Sequence, residues 1–587
     1  MPENVDALLA RLEAAKSRFG RGAAAETRVL LDQLARCNFL DAQSLIRFHE
    51  GLLFLRAFPQ SAALVPRIEK LLTSFHERVE IVRAAGVDMA EFDDFDTSGI
   101  AGTIMQDTLN FEAARWLARR IPRHVEIAWD DYAEDYPAER SMGSTWPRFI
   151  PLLAEDADVE ANIPWRRWLD AARGRERDLE WLIRRFEQLP ANKTERERAE
   201  LYDSLRLPLR WNLANLKLSR TRNWTRPRSF YYHAEPLIVR SGVSLATELA
   251  RPAPRLSKLS RREGESVLHT IREVMAVRYR ELYGTTLGDS NSVVRADLRF
   301  GETGSGETGS GETSRGVVMY FWNLPPERRL PLRAYVAGFT LKNGVPINYI
   351  EAIGLCEWIE VGFNTFYTYR QGETAWIYAQ ALRCLCSFTG ATTISVYPYQ
   401  IGQNNDEALD SGAFWFYRKL GFRSGRAVLE QLAVREEHKI ADNPQYRTPK
   451  RTLKRLAEAH VFYELPGSEH CAWDTLSTRN LGLRVNRRMA REFGGDSQIM
   501  RRAAVAKVGR ALDIASSRWN LAEQQALENW SLVLALMPNL SRWSPDEKQD
   551  AGKIIRAQAG PNEMRYLHLT QQHPRLRQEL LRLGSKE

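Results

Sequence analysis

Cysteine is scarce in this chain, with five in 587 residues, too few and too scattered for a disulfide framework. Cys384 and Cys386 lie two apart in a helix-like run and therefore on different faces, while Cys37, Cys356 and Cys471 stand alone. No zinc-ligand spacing results, so no metal is expected and the thiols read as buried or idle. Long apolar runs are also missing. The best, Ser531–Met537 (SLVLALM), is far below the roughly 18 residues of a membrane span. The N-terminal MPENVDALLARLEAAKSRF has neither the apolar core nor the small-residue cleavage site of a signal peptide. A cytoplasmic protein without membrane attachment is expected. Phosphate-loop chemistry is excluded too: there is no Gly-Lys-Ser/Thr turn, and no glycine turn follows the first strand-like run as a dinucleotide fold requires.

What is present is ordinary material for a large core: 44% hydrophobic and 27% charged residues. The length predicts several domains. The net charge of +9 and the pI near 9.2 allow an acidic partner. Residues 1–215 read as nearly continuous helix, with stripes such as Val65, Ile68, Leu71, Leu72 and Phe75 at three-four spacing. Residues 441–587 turn helical and basic again, Thr452–Phe462 and Arg484–Phe493 among the predicted helices. Between them, 216–440 alternates strand and helix texture. The fold class is therefore α+β: a central mixed sheet flanked by all-α N- and C-terminal regions.

Two stretches suit nucleic acid. Asn215–Arg228 carries Lys217, Arg220, Arg222, Arg226 and Arg228 around Trp224 and no acid, the mixture of charge and ring faces that single strands bind. The C-terminal helices are rich in arginine. A packed connector and a solvated basic face are the plainer readings, and nucleic acid is not favoured. Gly301–Thr313 repeats Gly-Glu-Thr-Gly-Ser, cannot bury apolar surface, and reads as a solvated insertion between neighbouring strands.

The stretch Glu357–Phe422 organises the rest. An apolar strand, Glu357–Tyr367, runs into a polar turn, Thr368–Thr374, then a helix-like run, Ala375–Phe388. A strand-like Thr392–Tyr399, a polar loop and Ser411–Arg423 follow. Ahead of it, Lys342-Asn343-Gly344 signals a hairpin. A glycine turn at a helix start presents backbone N–H groups and a favourable dipole to an anion.

This order resembles the GNAT N-acetyltransferase superfamily over about Val317–Arg435. Asp410, Ala413, Phe416, Tyr417, Gly421 and Phe422 fall in register with the family's Asn-x-x-Ala-x-x-Leu-Tyr-x-x-x-Gly-Phe signature. Gly372 takes the central glycine of the coenzyme-loop signature, with Tyr369 where Gln or Arg is usual and Thr374 where Gly or Ala is usual. The resemblance implies acyl transfer from acetyl-CoA, or a related acyl-CoA, to an amine acceptor, a small molecule or a protein. Gln371, Gly372, Glu373, Thr374 and Ala375 would hold the coenzyme through backbone N–H groups, and Arg370 would add charge. Polarising the thioester carbonyl falls to a backbone N–H around Phe363 to Phe366. Tyr417 matches the family's general acid. Glu357, Glu360 and Glu351 are the candidate bases, the first two on opposite faces of their strand. Asn404, Asn405 and Asp406 would line the coenzyme or cap the following helix. The alternative is a non-catalytic binding or scaffold protein that keeps the fold.

Overall fold

Asn343 and Gly344 turn the chain through the hairpin that seeds the central sheet. Both have positive φ, 49° and 77°, which a two-residue type I′ turn requires. A Cβ at Gly344 would collide with the Thr225 carbonyl, so the connector packs directly on this turn. The computed structural model describes residues 4–585 apart from 136–144, 156–164, 190–193, 228, 281–282 and 299–313. The Gly-Glu-Thr-Gly-Ser repeat and Arg228 lie outside the described residues.

The protein is α+β. Its central sheet has nine strands in the order β11-β12-β10-β9-β8-β7-β6-β5-β4. These are β4 (Arg255–Lys258), β5 (Val294–Asp297), β6 (Val317–Trp322), β7 (Ala334–Lys342), β8 (Val345–Leu355), β9 (Trp358–Thr365), β10 (Thr393–Val396), β11 (Arg423–Ser424) and β12 (Val461–Glu464). From β4 to β9 the chain is an antiparallel meander. The run Val345–Phe363 is thus two strands, turned at Cys356, whose φ is 51°. The pair β9–β10 is parallel and so needs a crossover.

The helices framing the sheet are α1 (Ala42–Ala57), α2 (Arg261–Met275), α3 (Thr374–Thr389), α4 (Asp406–Asp410), α5 (Ala413–Arg418), α6 (Lys450–Leu456), α7 (Thr478–Phe493), α8 (Ser497–Ala511), α9 (Leu521–Leu534) and α10 (Glu563–Gln571). The crossover helix is α3, which ends on Gly390 in the left-handed region. Its Tyr378 ring meets Phe363 of β9 at 4.8 Å. Leu567 of α10 packs on Gly354 of the same face. The opposite face is covered near β7 by Tyr283–Thr286, where Gly284 abuts Tyr335 and Ala337. Over β8 and β9 it stays half-open.

Two expectations change. The N-terminal region is not all helix. Three short strands, β1 (Ile104–Thr108), β2 (Val125–Ile127) and β3 (Pro208–Asn212), form a sheet of order β1-β3-β2. Strands of three to five residues are too short to show a period against a helical background. Likewise Thr452–Phe462 is no single helix: α6 stops at Leu456 and β12 begins at Val461, pairing with β10 and β11. The sheet therefore continues past residue 440. One contiguous core runs from the N-terminal helices through the sheet to the C-terminal helices.

The basic connector is structural. Arg220 is buried on Glu50, and Trp224 donates its indole N–H to the Asn343 carbonyl at 2.9 Å.

Candidate active site

The parallel strands hold together only from Trp358 to Glu360, where Glu360 faces Ser395. Beyond that β9 continues to Thr365, while β10 ends at Val396 and Pro398 opens a 3-10 turn. Proline has no N–H to extend the ladder. The strands fork, and among the described residues the backbone of β9 after Glu360 has no strand on that side. On the open face, alternation places Glu360, Gly362 and Asn364 together, beside Ile353, Glu351 and Tyr349 of β8. Gly362 leaves a notch: a Cβ there would find nothing nearer than Gln400 at 3.8 Å.

At the crotch of the fork Glu360 meets the Nε2 of His460 at 2.8 Å and the Arg333 guanidinium at 3.5 Å. Burial raises the Glu360 pKa, but His460 and Arg333 outweigh it and hold it below the ordinary carboxylate range. The ionised carboxylate is acceptor-only, so Nε2 must carry the proton. In the neutral ring Nδ1 is then the lone-pair nitrogen. Tyr397 stands edge-on to this imidazole, with centroids 5.3 Å apart, and its hydroxyl accepts from Arg479 at 2.7 Å. Glu351 accepts from the Tyr335 hydroxyl, and burial raises its pKa. A half-buried, orientated imidazole–carboxylate pair beside a notch can take a proton from an incoming amine.

The other candidate residues fall elsewhere. Glu357 sits ahead of β9, accepting from the Trp473 indole at 2.8 Å and the Arg577 guanidinium at 2.6 Å. It anchors the C-terminal helices instead of facing the fork. Tyr417 is in the core, 4% exposed, against Tyr378, Phe416 and Phe422. Its hydroxyl makes no hydrogen bond among the described residues, and burial raises its pKa. The register of its motif is set by packing. Asn405 caps α4, accepting from the Ala408 N–H at 3.1 Å. Asn404 has a positive φ, and Asp406 is the first residue of α4.

The coenzyme-loop candidates form the turn into α3, whose first turn has no side-chain cap. Gln371 is exposed. Gly372 donates to the Tyr369 carbonyl at 2.8 Å and lies under the Phe58 ring. Arg370 is paired with Glu407 at 2.5 Å and approaches Asp96. Thr374 turns its hydroxyl to the Arg370 carbonyl, and Ala375 is buried. Glu373 is fully buried, bound by Arg315 and by Lys342 at 3.2 Å. Burial raises its pKa, yet the two cations bring it below the usual value.

His460 is the residue that sequence reasoning misses. It lies 100 positions from Glu360, ahead of a four-residue strand, and no local signal marks it. Among the described residues no group of three or more side chains could hold a metal ion. No described helix is long and apolar enough to cross a membrane. No family model matches the chain, and no curated protein or solved structure matches it.

Proposed function

We propose that the protein is an N-acyltransferase of the GNAT type, moving an acyl group from acyl-CoA to an amine. The observation that carries this reading is the fork of β9 and β10 with the His460–Glu360 pair at its crotch. An unpaired strand edge offers N–H and C=O groups to an extended, amide-bearing chain, and the pantetheine arm of coenzyme A is one. The open edge after Glu360 would take that arm and set the thioester beside the Gly362 notch. His460 Nδ1 then accepts the amine's proton as nitrogen attacks the carbonyl. The thiolate leaves with that proton, so amide and thiol form without a further acid. Glu360 acts through His460 by holding its tautomer.

Calorimetric titration with acetyl-CoA is the test. Micromolar binding is expected, and Gly362→Leu, which puts a branched side chain into the notch, should weaken it at least tenfold. His460→Ala should lower kcat about 100-fold with a small change in KM, and added imidazole should restore part of the rate. No heat and no thermal shift at millimolar coenzyme would sink this reading. A silent scaffold is the second reading, favoured because Phe58 covers Gly372 and Glu373 is locked in ion pairs.

A further inference from the structure

One outward-facing segment carries a large local surplus of positive charge. Over the whole sequence the surplus is nine, whereas residues 478–511, the α7–α8 hairpin, hold nine Lys or Arg against two acids, a surplus of seven. Such crowding is self-repelling. Neither acid is free to relieve it. Glu492 is shared by Arg488 and Arg491, each at 2.8 Å, and Asp496 caps α8 through the Gln498 and Ile499 N–H groups. Arg501, Arg502 and Arg510 make no ion pair among the described residues.

The hairpin also turns outward. In the sixteen residues of α7 only Leu481 is buried. Arg484, Arg487, Arg488 and Arg491 follow one another at i, i+3, i+4 and i+7, so they share one face. Arg487, Arg491, Arg502 and Arg510 are exposed. The base of α7 touches the fork, since Arg479 donates to Tyr397.

We infer that the α7–α8 hairpin is a docking surface for the phosphate backbone of a nucleic acid. Eight of the nine cations are arginine, whose planar donors suit phosphate bidentately. An anionic membrane fits less well, because the exposed large apolar residues here are two, Leu483 and Ile499, and a membrane-surface helix needs an apolar face. A bound strand would run toward the rim of the fork. The inference stands whether or not the fork binds coenzyme.

The test is fluorescence anisotropy of labelled single-stranded and duplex oligonucleotides against the full chain over a range of salt. Binding should weaken steeply with salt. Arg487→Glu, Arg491→Glu and Arg502→Glu together should weaken it at least tenfold. For a single strand they should also reduce the slope of log K against log salt by about 2, near 0.7 per lost phosphate contact. All three positions are exposed, so circular dichroism and melting should match the parent. A control that reverses Arg123, Arg167 and Arg175 removes the same charge from the N-terminal region and should change binding less than threefold. The inference is overturned by absence of binding at low salt, or by equal losses in hairpin variant and control. Binding to phosphatidylserine vesicles without oligonucleotide binding would likewise overturn it.

Discussion

Replacing Arg220 with alanine is expected to cost about 3–5 kcal/mol of unfolding free energy, the range for removing one partner of a buried ion pair. Arg220 and Glu50 are both buried, with guanidinium–carboxylate distances of 2.8 and 2.9 Å. Three parts of the chain meet there. Glu50 comes from α1, Arg220 from the connector, and Thr368, whose hydroxyl also donates to Glu50, from the turn after β9. Without Arg220 a carboxylate is left buried beside His49. The cost comes mostly from that stranded charge, so Arg220→Met with Glu50→Gln should recover more than half of it. Urea denaturation measures both. A loss under 1 kcal/mol for Arg220→Ala would show that water reaches Glu50 and that the pair does not lock the turn to the N-terminal helices.

Acidification is expected to destabilise the protein progressively below about pH 6, before most ordinary carboxylates protonate. Burial lowers His49 from 6.5 to about 4, and burial with Lys342 nearby lowers His233 to about 3. The geometry at His49 gives the reason. Its Nδ1–H faces Glu50 at 3.1 Å, and Nε2 lies 2.9 Å from the Thr221 hydroxyl, which already accepts the Ala101 N–H. A second ring proton would put a positive charge in a fully buried site near the Arg220 and Arg56 guanidiniums and take away the acceptor of the Thr221 hydroxyl. His233 has no hydrogen-bond partner on either nitrogen among the described residues.

Both folded pKa values are depressed, so the unfolded chain binds more protons below pH 6.5 and stability falls with pH. At 1.36 kcal/mol per unit, each site contributes a loss of about 3 kcal/mol between pH 6.5 and 4. Burial raises Glu50, but Arg220 and His49 outweigh it and hold it at about 2. Its contribution is therefore present above pH 4.5 and lost below. Glu563 acts the other way: burial raises it to about 7, so stability grows by about 3 kcal/mol as pH falls from 7 to 4.5. The balance of the two histidines and Glu563 is a fall of about 3 kcal/mol by pH 4, read from urea midpoints at pH 7.5, 5.5 and 4. His49→Gln keeps a donor and an acceptor but cannot be charged in this range, and should flatten the slope by one proton. An unchanged slope would mean that His49 is protonated in the folded state.

How much could be read in advance follows the range of each interaction. The Asn343-Gly344 turn depends on two backbone conformations, and it appears where its residues stand. The order of β9, glycine turn, α3 and β10 was also legible, since alternation and helix composition act over a few neighbours. Tyr417 marks the limit: one register of aromatic residues fits a catalytic hydroxyl and a packed ring equally, and only its burial against Tyr378 decides. His460 and Glu360 gave no warning of each other, because a pair 100 residues apart is made by strand pairing. β3 found its partners β1 and β2 in the same non-local way.

By itself the sequence determined the α+β class, the hairpin, the order of strand, glycine turn, helix and strand, and the basic charge of the C-terminal helices. These are local properties of backbone conformation, side-chain alternation and composition. Only the tertiary structure decided which carboxylate faces the fork, which arginines are neutralised, and where β12 inserts. Each of those depends on what arrives from a distant part of the chain. Arg220 and Arg502 carry the same charge, but Glu50 meets the first inside the core while the second stands exposed on the α7–α8 hairpin.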